Sequence, residues 1–157
     1  MCAALACAGA RAADFYVVDL HAPDDPWVEL LDPSSIVVTA DGTKKAHLAY
    51  VEELDVWDDD WLEVNCTAGE YRYVSSVEHL PGDTTIPGGS TLDRAETVNA
   101  GVWRTAAKGT LAAKIFDAVC DWSPGLLTDS TRLSADSLEA VVHRVSDRLA
   151  NIEDSGK

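Results

Sequence analysis

The spacing of apolar residues changes once along this chain, and that change limits the fold more than any other feature. Up to His79 apolar side chains tend to alternate with polar ones, whereas beyond Trp103 they recur at steps of three and four. Alternation belongs to strands and the longer step to helices, so strands come first and helices last. That order predicts an α+β domain rather than repeated β–α units. The predicted strands are 15–20, 27–31, 36–39, a long 45–57, 61–67 and 71–79, an antiparallel β-meander of about six strands. Turn chemistry separates them, at 21–26, Asp32-Pro33-Ser34, Ala40-Asp41-Gly42, Asp58-Asp59-Asp60 and Ala68-Gly69. Asp41-Gly42 is the strongest hairpin signal of the set. In 45–57, Leu48, Tyr50, Leu54 and Val56 share one parity, with Glu52 the exception, which predicts one mostly apolar face. In 61–67, Leu62, Val64 and Cys66 share another, so Cys66 is expected to point inward. The stretch Leu80–Ala100 mixes Pro, Gly, Thr and Asp without periodicity and reads as an exposed loop.

The helical half falls into two pieces. Over 109–120, Ala112, Ile115, Phe116, Val119 and Cys120 line one stripe, which turns Cys120 toward the sheet. Pro124-Gly125 interrupts the pattern. A last amphipathic helix then carries Leu138, Val141, Val142, Val145, Leu149 and Ile152 on its apolar face, with Asp136 or Ser134 as its expected cap. That stripe is expected to pack on the sheet of its own chain. The alternative is a structural cell-envelope protein that acts through self-association of this helix, a homodimer joined through Leu138, Val142, Val145 and Leu149.

Residues 1–13 are almost all small and apolar, and Ala10-Arg11-Ala12 fits the small-x-small rule for signal peptidase. They read as a signal peptide lacking its basic leader, with Met1 an internal start or the edge of a truncated gene model. Cys7 follows Ala4-Leu5-Ala6, where Leu stands one place too late for a lipid-attachment box. With Cys2 and Cys7 removed, Cys66 and Cys120 remain, and an even pair in an exported chain reads as a disulfide. Closing a loop of about 55 residues should stabilise the fold by about 4 kcal/mol, against a typical total of ~5–15 kcal/mol. The expected organisation is a signal peptide over 1–13, an α+β domain over 14–122 and a helical extension over 123–157. The expected location is exported: periplasm, cell surface or medium.

Charge and motif content narrow the function. A net charge of −15 with only 12 Lys and Arg argues against nucleic acid and against an anionic membrane surface. No apolar run reaches the ~20 residues that span a bilayer. His21, His47, His79 and His143 lie at no ligand spacing, and Asp58-Asp59-Asp60 with Asp55 lacks the spaced glycine array of a calcium loop. Neither Ser34-Ser35 nor Ser75-Ser76 sits in a nucleophile elbow, and Gly88-Gly89-Ser90 opens no helix. No catalytic, cofactor or metal site is therefore expected, and the chain reads as a binding module. Trp57 and Trp61 flank the acidic run, and exposed indoles there are the candidate anchors for a protein partner.

Several local patterns also occur in a familiar order. Trp27 opens a strand, Leu31-Asp32-Pro33-Ser34-Ser35-Ile36 follows, and Glu63-Val64-Asn65-Cys66 comes after a long strand. Then come Tyr71-Arg72-Tyr73-Val74-Ser75-Ser76, Val102-Trp103-Arg104 and Ala118-Val119-Cys120. In this order the chain resembles the surface-adhesin protein E family of small exported bacterial proteins, over roughly residues 15–120. The resemblance implies an antiparallel sheet tied to a helix by Cys66–Cys120, a place outside the cytoplasm, and adhesion to host extracellular-matrix proteins. The chain departs from the pattern at Ala107-Lys108-Gly109-Thr110, where members often carry a Pro-Gly-Ser turn and an acidic residue. It also continues from Asp121 to Lys157, beyond the family's usual end.

Overall fold

The computed structural model describes residues 13–21, 26–52, 56–79 and 101–155. The expected signal peptide, apart from Ala13, the expected loop Leu80–Ala100 and Asp55 lie outside them. Among the described residues, seven strands form one antiparallel sheet. They are β1 (Ala13–His21), β2 (Trp27–Val38), β3 (Lys44–Glu52), β4 (Trp57–Asn65), β5 (Glu70–His79), β6 (Arg104–Thr105) and β7 (Arg132–Ala135). Their order across the sheet is β6-β5-β4-β3-β2-β1-β7. Helices α1 (Leu111–Cys120) and α2 (Leu138–Ser155) complete an α+β fold, with one 3-10 turn, Pro124–Leu126, between them.

The two helices lie over opposite faces of the sheet. Phe15, Val28, Leu30, Ala49 and Val51 pack with Val141, Val142, Val145 and Leu149 of α2. Leu31, Ala46, Leu48, Leu62 and Val64 pack with Ile115, Ala118 and Val119 of α1. Neighbours along one strand, such as Leu30 and Leu31 or Leu48 and Ala49, thus belong to different cores, as alternation requires. The mostly apolar face expected for β3 is thus joined by a second: both of its faces are covered, and small Ala46 and Ala49 let both helices approach closely.

Three corrections concern what interrupts a strand. Asp32-Pro33-Ser34 is not a turn but a bulge inside the twelve-residue β2, where β2 advances from Asp32 to Val37 while β3 steps only from His47 to Lys45. The Asp32 carboxylate accepts from the Ser34 amide (2.9 Å) and hydroxyl (2.6 Å), and the Ser35 hydroxyl accepts the His47 amide (2.8 Å). Side chains therefore replace the ladder bonds that the bulge breaks. Asp58-Asp59-Asp60 likewise lies within β4, paired with β3 on one side and β5 on the other, and is no solvated turn. Cys66 stands one residue past β4, exposed, in a turn that Gly69 closes at φ 74°, though its parity still directs it to the α1 side.

Residues 123–157 supply more than a helix. Strand β7 extends the sheet by pairing Ala13–Tyr16 with Arg132–Ala135. The cap of α2 is Ser137, whose hydroxyl accepts the Ala140 amide at 3.2 Å, and neither Asp136 nor the strand residue Ser134. Leu138, Val142, Val145 and Leu149 are buried or half-buried against the chain's own sheet.

Helix α1 is held at both ends. Thr110 caps its N-terminus by accepting the Ala113 amide. At the other end Cys120 is bonded to Cys66, with their Cα atoms 5.6 Å apart. Lys44 of β3 donates there to the Val119 and Cys120 carbonyls, at 3.0 and 2.8 Å. The last turn of α1 carries no basic residue of its own, so the sheet supplies the cation that the helix dipole favours. Replacing both Cys66 and Cys120 by Ser is expected to remove about 4 kcal/mol, roughly 10 °C in Tm. Lys44→Met should remove about 1–2 kcal/mol. Thermal unfolding followed by circular dichroism reads both; an unchanged Tm for the Ser pair would show that packing alone seats α1.

Candidate functional site

Two groups of polar side chains stand out, one on each sheet face, and β4 contributes to both. Its even residues Asp58, Asp60, Leu62 and Val64 face the α1 side, and its odd residues Trp57, Asp59, Trp61 and Glu63 face the α2 side. The acidic run is thus split by alternation into one exterior carboxylate between two interior ones.

On the α1 side, Glu29, Tyr50 and Asp58 are direct cross-strand neighbours on β2, β3 and β4, and Asp60 lies one row away opposite Ser76. Glu29 and Asp58 are each 3% exposed and Asp60 5%. Burial pushes the Asp60 carboxyl up to about 6, with the Ser76 hydroxyl and His47 pulling down and Asp59 pushing further up. Burial, then the charges of Asp60 and Glu29, pushes the Tyr73 hydroxyl well above its ordinary value. A carboxyl poised near 6 exchanges a proton close to neutral pH, a property common at functional sites. Here, however, the carboxylates are closed off from solvent in this conformation, so the row acts on stability.

The sign of that effect follows from the direction of the shift. A carboxyl raised from 3.8 to about 6 keeps its proton in the folded chain while the unfolded chain has released it. Its contribution therefore becomes unfavourable as pH climbs from about 4 to about 6 and stays so above.

On the α2 side, the helix covers β7, β1, β2 and part of β3, and its packing reaches only as far as Trp57 on β4. Beyond it lies a grid of three strands. Lys45, Glu63 and Arg72 form one row; His47, Trp61 and Ser75 the next; Ala49, Asp59 and Val77 the third; Val51, Trp57 and His79 the last. The Trp61 ring lies against His47 (centroids 4.9 Å apart) and under the Lys45 ammonium at 4.7 Å. The Asp59 carboxylate bonds His47 Nε2 at 2.6 Å. Arg72 donates to Glu63 through Nε (2.8 Å) and a terminal nitrogen (2.5 Å), and its guanidinium sits 4.6 Å from the Trp103 ring centre. Thr43 donates to the other Glu63 oxygen at 2.5 Å. The hydroxyls of Thr39 and Thr43 also hold the exposed Asp41 carboxyl below its ordinary value.

The two tryptophans singled out from sequence share this face but differ in role. Trp57 stacks on His79 with centroids 3.9 Å apart and packs against the α2 core. Trp61 belongs to neither apolar core. The partners around it, namely Lys45, His47, Asp59, Glu63, Arg72 and Trp103, escape a linear reading because the acidic run conceals the strand. Their signal is the odd-position series Trp57, Asp59, Trp61, Glu63, legible once β4 is known to run through. Among the described residues no group of three or more His, Cys, Asp or Glu is placed to hold a metal ion. Compared with protein-family models, curated proteins and solved structures, the chain matches none.

Asp60→Asn is expected to stabilise the fold at pH 7.5 by up to about 3 kcal/mol and to flatten stability between pH 4 and 6. Urea titrations across that range measure it; a variant as pH-dependent as the parent would place the proton elsewhere.

Proposed function

We propose that this chain is an exported, non-enzymatic binding module whose contact surface is the Trp61 face of β3, β4 and β5. The observation that carries the reading is the position of Trp61, outside both cores on the part of the sheet beyond α2, with Lys45 and His47 against its ring. Trp and Arg are the side chains most enriched where protein partners bind tightly. Hydrogen-bonded strands hold these in place before contact, which lowers the entropy lost on binding. On this face Lys45, His47 and Arg72 alternate with Asp59 and Glu63, so its charges are nearly balanced within a chain of net charge −15. A disulfide suits an oxidising compartment. The order of motifs resembling the surface-adhesin protein E family supports a host extracellular-matrix protein as the partner.

Self-association through α2 has less to support it. Val142, Val145 and Leu149 are buried in the chain's own core and Leu138 packs against it, so the expected homodimer stripe is already covered.

In a solid-phase assay on vitronectin and laminin, the chain is expected to bind saturably to at least one. Trp61→Ala should weaken that binding about tenfold or more with Tm unchanged. Trp57→Ala should instead lower Tm, since its ring closes a core edge. No saturable binding to either protein ends the adhesin reading, and full binding by Trp61→Ala moves the contact surface off this face.

A further inference from the structure

A second feature is independent of the sheet face. Between the outer end of β1 and the C-terminal half of α2 lies a crevice of about 200 Å³. It exists because β7 is short. Pairing with β1 covers only Ala13–Tyr16, the Val17 amide ends the contact on the Thr131 carbonyl, and α2 runs on past that point. Val17, Val28, Leu133, Val145 and Leu149 form the walls. Leu20, 55% exposed, stands at the rim. Its walls are almost wholly aliphatic, the lining that suits an apolar guest.

Among the described residues the crevice has two polar lining side chains, Ser130 and Arg148. Arg148 is exposed, and among the described residues no carboxylate pairs with it. Other described cations along β1, β7 and the helices are engaged: Lys114 pairs with Asp19, Arg132 approaches Asp14 at 4.0 Å, and Arg144 donates to the Ser134 carbonyl. Arg148 on the lining of an aliphatic crevice, in a chain so acidic, points to an occupant with an apolar body and one negative end.

We infer that the crevice binds a small aliphatic monocarboxylate, its chain against Val17, Leu133, Val145 and Leu149 and its carboxylate on Arg148. The planar fork of Arg suits a carboxylate, and the Ser130 hydroxyl at the lining is already hydrogen-bonded to the Thr128 hydroxyl at 2.9 Å. A crevice of about 200 Å³ admits a short aliphatic chain, and hexanoate is a probe of that size. The walls offer nothing to a sugar, and Arg148 opposes an amine.

Methyl NMR titrations of the full chain with hexanoate, hexanol and hexylammonium, at fixed ionic strength, test this. Hexanoate should shift the Val145 and Leu149 methyls saturably and bind about fivefold tighter than hexanol, with hexylammonium weakest. Arg148→Gln should bring hexanoate down to the level of hexanol. Leu20→Trp, at the exposed rim, should close the crevice to all three while Tm holds. The proposal is overturned if hexanoate does not saturate those methyls, if hexylammonium matches it, or if Arg148→Gln binds it as tightly as the parent.

Discussion

Strands β2 and β3 have apolar residues on both faces, and the rest of the structure answers that constraint. Leu30 and Leu31 are adjacent in sequence, fully buried, and packed in different cores. An antiparallel sheet commonly leaves one face to water, but water on either side here would expose one of these leucines. Each face therefore needs its own cover, and the chain after β6 provides it twice. Helix α1 is ten residues long and α2 eighteen, so neither spans a seven-stranded sheet. The short one is fastened by Cys66–Cys120 and by Lys44, and the long one by a four-residue core stripe and by β7, which joins the sheet just before it.

Partial cover decides where polar side chains collect. Beyond the reach of α2, the odd residues of β3 and β4 are aromatic or charged: Lys45, His47, Asp59 and Trp61 are half-buried, and Glu63 is buried among its hydrogen-bond partners Thr43 and Arg72. Their charges are mutually engaged, Asp59 with His47 and Glu63 with Arg72. The surface is consequently firm without being apolar, the character that a reversible protein contact favours over a permanent one. On the other face the same strands bury Asp60, whose raised carboxyl costs stability above about pH 6, where the disulfide staple offsets it.

Much of this was legible along the chain. Periodicity separates strands from helices, the parity of Cys66 and the stripe of Cys120 bring the two sulfurs to one side, and the α2 stripe names its own core residues. What was hidden shares one cause: polar residues doing a strand's work. Asp32-Pro33-Ser34 reads as a turn because its side chains replace ladder bonds. Asp58 and Asp60 read as a turn because carboxylates occupy inward positions where alternation predicts apolar groups.

The sequence by itself determined which residues share a face, because side-chain alternation and helical pitch are local properties of the backbone. It also set the strand-then-helix order and the cysteine pair that ties the two halves. Only the tertiary structure decided what lies over each face: one helix on each side, a seventh strand from the tail, and a stretch beyond α2 where Trp61 stands outside the core. Parity says which way a side chain points, but the length and placement of a distant helix decide whether it meets a core, a partner or water.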